Sequence, residues 1–196
     1  MRLRMLAVAI LAIGAFASAN SVYAQGRAID VSKSTLKIRV LKSGAFSAFA
    51  HDHEIEAPIE EGKIDEGDPA HASVQLRVSA RKMRVLDPGI SADKRAEIQR
   101  TMQGATVLDV EKFPEISYES TSVTGHGEGR WQVQGELALH GKKQPVAVEV
   151  SFKDGHYRGT AAFKQSNFGI SPISIAGGTV KVKDEVKIEF DIVAAK

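Results

Sequence analysis

No cysteine occurs among the 196 residues, and several possibilities leave with it. Disulfides cannot staple the fold, so a hydrophobic core has to stabilise it without covalent help. A thiol nucleophile is excluded, and so is a thiol-linked lipid anchor. The Gly-x-Ser-x-Gly nucleophile elbow is missing as well. No apolar run is long enough to cross a bilayer as a helix. Internal repeats and low-complexity linkers are also lacking, which leaves no sign of a second domain.

An excess of either charge is the next absence. The whole chain carries 26 basic and 24 acidic residues. Its first 24 residues have the layout of a secretory leader: Arg2 and Arg4, an apolar run over residues 5–16, and Val22-Tyr23-Ala24 as a small-residue cleavage site. Ala17-Ser18-Ala19 offers a second site. Cleavage after Ala24 removes two arginines and no acid, so the mature chain has 24 of each sign. A nucleic-acid partner would want a basic face, and none is predicted. The expectation is a leader over 1–24 and one exported, periplasmic domain over 25–196.

What the chain has in abundance is alternation. Residues 35–42 set Leu36, Ile38 and Val40 on one face, and residues 72–81 do the same with Val74, Leu76, Val78 and Ala80. Trp131, Val133, Gly135, Leu137 and Leu139 share a face, followed by Val146, Val148, Val150 and Phe152. Tyr157, Gly159, Ala161 and Phe163 come next. Val180, Val182, Val186, Ile188, Phe190 and Ile192 oppose a row of Lys, Glu and Asp. Period two with one apolar face marks half-buried strands. Gly-containing turns at 125–129, 140–143, 153–155 and 176–178 join them as antiparallel neighbours. Such strands pack as a sandwich or close into a barrel. Small residues on the inner faces, such as Ala80, Gly135, Gly159 and Ala161, favour the barrel by leaving room. Eight strands make a lumen just wide enough for one slender ligand.

One stretch breaks the pattern. Ser91 is an N-cap candidate, and Ile98, Met102, Ala105 and Leu108 line one helical face. A short amphipathic helix over about 91–104 is predicted to close one end of the barrel, near an opening, where its stripe would be core packing or a lid. The acidic pairs Glu60-Glu61 and Asp65-Glu66 read as a solvated turn region. Gly125-x-Gly127-x-Gly129 lacks the strand-then-helix setting of a phosphate loop and reads as a hairpin.

Four motifs in order then carry a resemblance. They are Val107-Leu108-Asp109-Val110-Glu111-Lys112-Phe113-Pro114, Gly135-Glu136-Leu137-Ala138-Leu139-His140-Gly141, Gln165-Ser166-Asn167-Phe168-Gly169 and Val182-Lys183-Asp184-Glu185-Val186. The chain resembles the YceI-like family over about residues 32–194. The resemblance implies an extended lipocalin-like barrel that binds a long isoprenoid chain, such as a polyprenyl quinone precursor, without catalysis and without a cofactor.

The candidate site residues follow from parity and composition. His51 and His53 share a strand face with Phe49 and Ile55, predicted to be the lumen. Three readings stay open for the histidine pair: hydrogen-bonded structural residues, contacts for a ligand head group, or metal ligands. The last needs three or four donors, and His71, His126, His140 and His156 are scattered along the sequence. Phe113, Ile116, Tyr118, Phe163 and Phe168 are expected to wall the pocket, since ligand sites are mostly apolar. A fatty amphiphile or isoprenoid is therefore the expected partner, and a homodimer is compatible with the sequence. The rival is a metal- or haem-linked redox or stress protein built on His51 and His53. A third possibility, a stress-induced scaffold for a partner protein, would require a large exposed apolar patch that clean alternation disfavours.

Overall fold

The computed structural model describes residues 26–43, 52–67, 71–175 and 180–196. Twelve strands form one antiparallel sheet. The long ones are β2 (Thr35–Ser43), β4 (Ile59–Asp65), β5 (Ser73–Ser79), β7 (Glu115–Gly127), β8 (Arg130–Leu139), β9 (Lys142–Lys153), β10 (His156–Lys164) and β12 (Val180–Val193). The short ones are β1 (Arg27–Ala28), β3 (His53–Glu56), β6 (Arg84–Val85) and β11 (Ser174–Ile175). The single α-helix among the described residues is α1 (Ala92–Gln103).

Hydrogen-bonded neighbours run β4-β5-β7-β8-β9-β10-β12-β2-β3. The two ends of this path, β4 and β3, are halves of one strand bent at Ala57-Pro58. Proline donates no backbone hydrogen bond, while Ala57 N–H still donates to Leu36 O at 2.9 Å. The bend therefore sits where a donor can be spared. Counted this way the wall has eight strands and closes on itself. The N-terminal strand β1 adds a strap at one end: it pairs with β4, and Ile29 bridges to Ala194 beyond β12.

Tight turns hold the register. His140-Gly141 and Asp154-Gly155 have φ of 51° and 72°, and 54° and 83°, respectively. Both central residues are thus left-handed, as two-residue hairpins need for their twist to match the strands. Glu128-Gly129 turns the same way, so the hairpin expected over 125–129 is tighter than the sequence suggested and β7 runs on through Gly127. The expected turn at 176–178 lies outside the described residues.

α1 begins and ends where expected. Ser91 Oγ accepts from Lys94 N–H at 3.3 Å, and Gly104 caps the other end. Its stripe is shorter than the sequence pattern, because Ala105 and Leu108 fall in the turns after it; Met102 and Leu108 are buried but Ala105 is exposed. Glu60-Glu61 and Asp65 lie in strand β4 and not in a turn region. A register shift between Ile59 and Glu61 breaks the period-two pattern there, and the acids on its outer face pair with Lys82 and Arg77.

A candidate ligand cavity

The long wall strands other than β4 turn alternate apolar side chains inward, but these leave an open space between them. Leu36, Ile38, Leu76, Leu137, Val148 and Phe190 face the interior and are only half-buried. Together with their neighbours they enclose a cavity of about 340 Å³, within the range of small-molecule sites. It extends from Met102 and Leu108 under the helix to Ala72 and Ser73 at the end of the barrel that carries β1 and the C-terminus, the terminal end. The nine-residue strand β10 alone spans about 30 Å along its axis, so the space is long and narrow. It suits a chain better than a disc.

The two ends differ. At the helix end Met83, Met102, Leu108, Val110 and Ile170 are all buried in one core cluster. At the terminal end Ile29, Ile59, Tyr157, Ile192 and Ala194 form a second, smaller cluster on the strap side. Beside it the cavity reaches Asp65, exposed Glu66 and Ser73, which make the described rim. The described rim is thus at the end opposite the helix.

Two glycines shape the lumen wall. A Cβ on Gly135 would lie 2.4 Å from Tyr118 Cζ, and one on Gly159 would lie 2.5 Å from Phe190 Cζ. The rings lie flat across neighbouring strands where no side chain stands in the way. Glycine here leaves space that an aromatic ring occupies along the wall, and the centre stays open. Tyr118 Oη donates to Val146 O at 3.2 Å and lies 3.4 Å from Val133 O. Burial pushes its phenol up to about 12, so it stays a neutral donor at any physiological pH.

The predicted site residues divide accordingly. Ile116, Tyr118 and Phe163 line the cavity. Phe113 does not: it precedes Pro114, outside the strand, and packs edge-on to His140 at 4.7 Å over Gly141. Phe168 does not either. It sits in a short 3-10 turn, has no exposed surface, and meets Phe163 edge-on at 5.2 Å as part of the packed end. His53 is absent from the cavity lining, because its ring is held by the loop after β6: Nδ1 lies 2.6 Å from Asp87 Oδ2, and Asp87 Oδ1 accepts Glu54 N–H at 2.7 Å. Asp87 is 2 % exposed, a buried carboxylate with both oxygens engaged. Phe49 and His51 lie outside the described residues. Among the described residues no group of three or more His, Asp or Glu is placed to hold a metal.

Sequence reasoning missed Asp87 and Met83. Asp87 is 34 positions from His53, and nothing local marks the pair. The inward faces of Trp131, Tyr157, Val148 and Ile188 were legible from parity.

A closed antiparallel wall around an apolar lumen defines a barrel-type binding protein. A model of the YceI-like domain matches residues 28–194, and the chain belongs to that family. It is 26% identical over 132 residues to a UPF0312 protein of Vibrio cholerae, covering 62% of this chain and 66% of that protein. A UPF0312 protein of Pseudomonas savastanoi is 36% identical over 85 residues, covering 38% of this chain and 44% of its own length. The matched stretches thus span less than two thirds of these relatives. Among solved structures, Burkholderia cenocepacia BcnA superposes with a TM-score of 0.65 at 21% identity, over 85% of this chain and 99% of that one. A mutant of the Campylobacter jejuni YCEI protein gives a TM-score of 0.51 at 12% identity, over 72% of this chain and 81% of that one. These likenesses agree on the fold.

Proposed function

We propose that the protein sequesters or carries a long-chain isoprenoid or similar amphiphile in its lumen, without transforming it, after export to the periplasm. The observation that carries this reading is the half-buried apolar inner face: side chains that point into the barrel and line an open apolar cavity. Burying each methylene of a ligand there contributes about 0.8 kcal/mol, so a chain of fifteen to twenty carbons needs few polar contacts to bind. The leader-like segment over 1–24 supports export. No helix among the described residues is long and apolar enough to cross a membrane.

Trp131 makes a direct test available. It is the single tryptophan of the chain and it lines the cavity. Native mass spectrometry of protein purified from its host should show a co-purified lipid, and stripped protein titrated with farnesol should show a saturable shift of tryptophan emission. Protein that is repeatedly empty, and whose emission no long-chain amphiphile alters, would refute the proposal.

A further inference from the structure

Two tyrosines face the lumen, and they are not equivalent. Tyr118 spends its hydroxyl on wall carbonyls. Tyr157, at the terminal end of β10, is 6 % exposed, lines the cavity, and its Oη has no hydrogen-bond partner. Buried phenol hydroxyls ordinarily find one. The core residues clustered with it, Ile29, Ile59, Ile192 and Ala194, offer hydrocarbon only. Its ring neighbours are Phe152 at 4.7 Å and Trp131 at 6.5 Å. A lone water would want two to four polar partners, and these side chains supply none beyond Tyr157 itself.

Charge narrows the class of partner. The ionisable side chains with ordinary carboxylate or cationic chemistry that line the cavity are Asp65 and Glu66, both acidic; no Lys, Arg or His lines it among the described residues. Arg27, close by, is engaged with Glu66 at 3.1 Å and with the carbonyls of Ala194 and Ala195. An anionic head group would meet carboxylates at this rim without a free cation on the lining.

We infer that Tyr157 Oη is the donor for an uncharged acceptor oxygen of the ligand, a hydroxyl, ether or carbonyl, so that the amphiphile lies with its polar group toward β1 and the C-terminus and its tail toward α1. This rests on the carrier reading and adds to it an orientation, a contact and a head-group class. His53, held by Asp87 outside the lining, has no part in it.

Calorimetric titration of the stripped full-length mature protein distinguishes the possibilities, with farnesol, the hydrocarbon farnesene and farnesyl phosphate as probes. In Tyr157→Phe, farnesol should bind about five- to tenfold more weakly, the net worth of one hydrogen bond, while farnesene binds as before. Tyr118→Phe should leave the farnesol-to-farnesene ratio unchanged, and farnesyl phosphate should bind the wild type more weakly than farnesol. The substitution removes an unpaired polar atom from the core, so Tyr157→Phe should melt no lower than wild type. An unchanged ratio in Tyr157→Phe, or tighter binding of the phosphate than of farnesol, overturns the inference while leaving the carrier reading intact. A wild type that binds none of the three probes overturns the carrier reading itself, and this inference with it.

Discussion

The helix end and the middle of this barrel are built from the same residue types and behave differently. Around Phe168 the chain folds back: a 3-10 turn, the α1 helix and the 104–114 segment push Met83, Met102, Leu108 and Val110 into full contact. Between the two ends, Leu36, Leu137 and Val148 have the same strand environment but are only half-buried and line the cavity. Hydrophobicity alone does not fill a barrel. What fills it is chain that crosses the end, and where no chain crosses, an apolar lumen remains.

The largest expected effect breaks the packed end. Phe168→Ala removes a side chain with no exposed surface and should cost about 3–5 kcal/mol in chemical denaturation. Leu137→Ala, on the lumen wall, should cost about 1 kcal/mol or less, because the space beside it is already open and truncation creates little new cavity. Equal losses at the two positions would show that the middle is as tightly packed as the end.

Asp87→Ala comes next. It strips the partner from His53 Nδ1 and from Glu54 N–H, leaving two part-buried donors unpaired at a cost of about 1–3 kcal/mol. Ligand affinity should stay within about twofold, since the pair lies outside the cavity lining. A large affinity loss at unchanged stability would put His53 back at the head group.

The converse variant sharpens the contrast from the other side. Ala161→Phe places a ring in the lumen from a half-buried position on β10. Filling space should keep or raise the melting temperature and weaken farnesol by at least about tenfold as occupied volume is lost to the ligand. Unaltered binding would mean that the lumen around Ala161 is not where the chain lies.

These contrasts also explain what could be read in advance. β8, β10 and most of β12 were legible because one polar and one apolar face alternate without interruption. β4 was not: Ile59 and Ile64 differ in parity, and the bulge that reconciles them leaves no trace in composition. In β12 the same kind of irregularity between Val182 and Val186 turns Asp184 toward Ser166, and Val182 drops out of the cavity lining. Gly135 and Gly159 were correctly placed on the inner face, but they make way for Tyr118 and Phe190, which composition could not reveal. Phe113 and Phe168 were misplaced because aromaticity marks burial and does not say whether a residue sits in a wall or in a turn that crosses an end.

The smallest effect concerns the strap that completes the terminal end. Asp30 follows β1, and its carboxylate accepts from Ser32 Oγ at 2.6 Å and from Lys33 Nζ at 2.5 Å. The bonds from Lys33 and Ser32 lower its pKa from 3.8 to about 2. A carboxyl with a depressed folded pKa contributes stability that is present above its unfolded value and lost as pH falls through the folded one. The contribution of Asp30 should therefore be constant above pH of about 4 and vanish between there and about 2. The carboxylate is half-buried but its partner Lys33 is exposed, so the effect is small and salt-sensitive. Thermal melts of wild type and Asp30→Asn should run apart above pH of about 4 and converge in acid. Hydrogen exchange of wild type and Asp30→Asn compared above pH of about 4 should differ in residues 27–34 with the 165–170 segment unchanged, because that segment is held by buried Phe168 and by a carboxylate of its own, Asp184, which accepts from Ser166 N–H and Oγ. If Asp30→Asn loosened both ends together, the strap would be part of one cooperative core with the helix end, and the two closures could not be treated as separate.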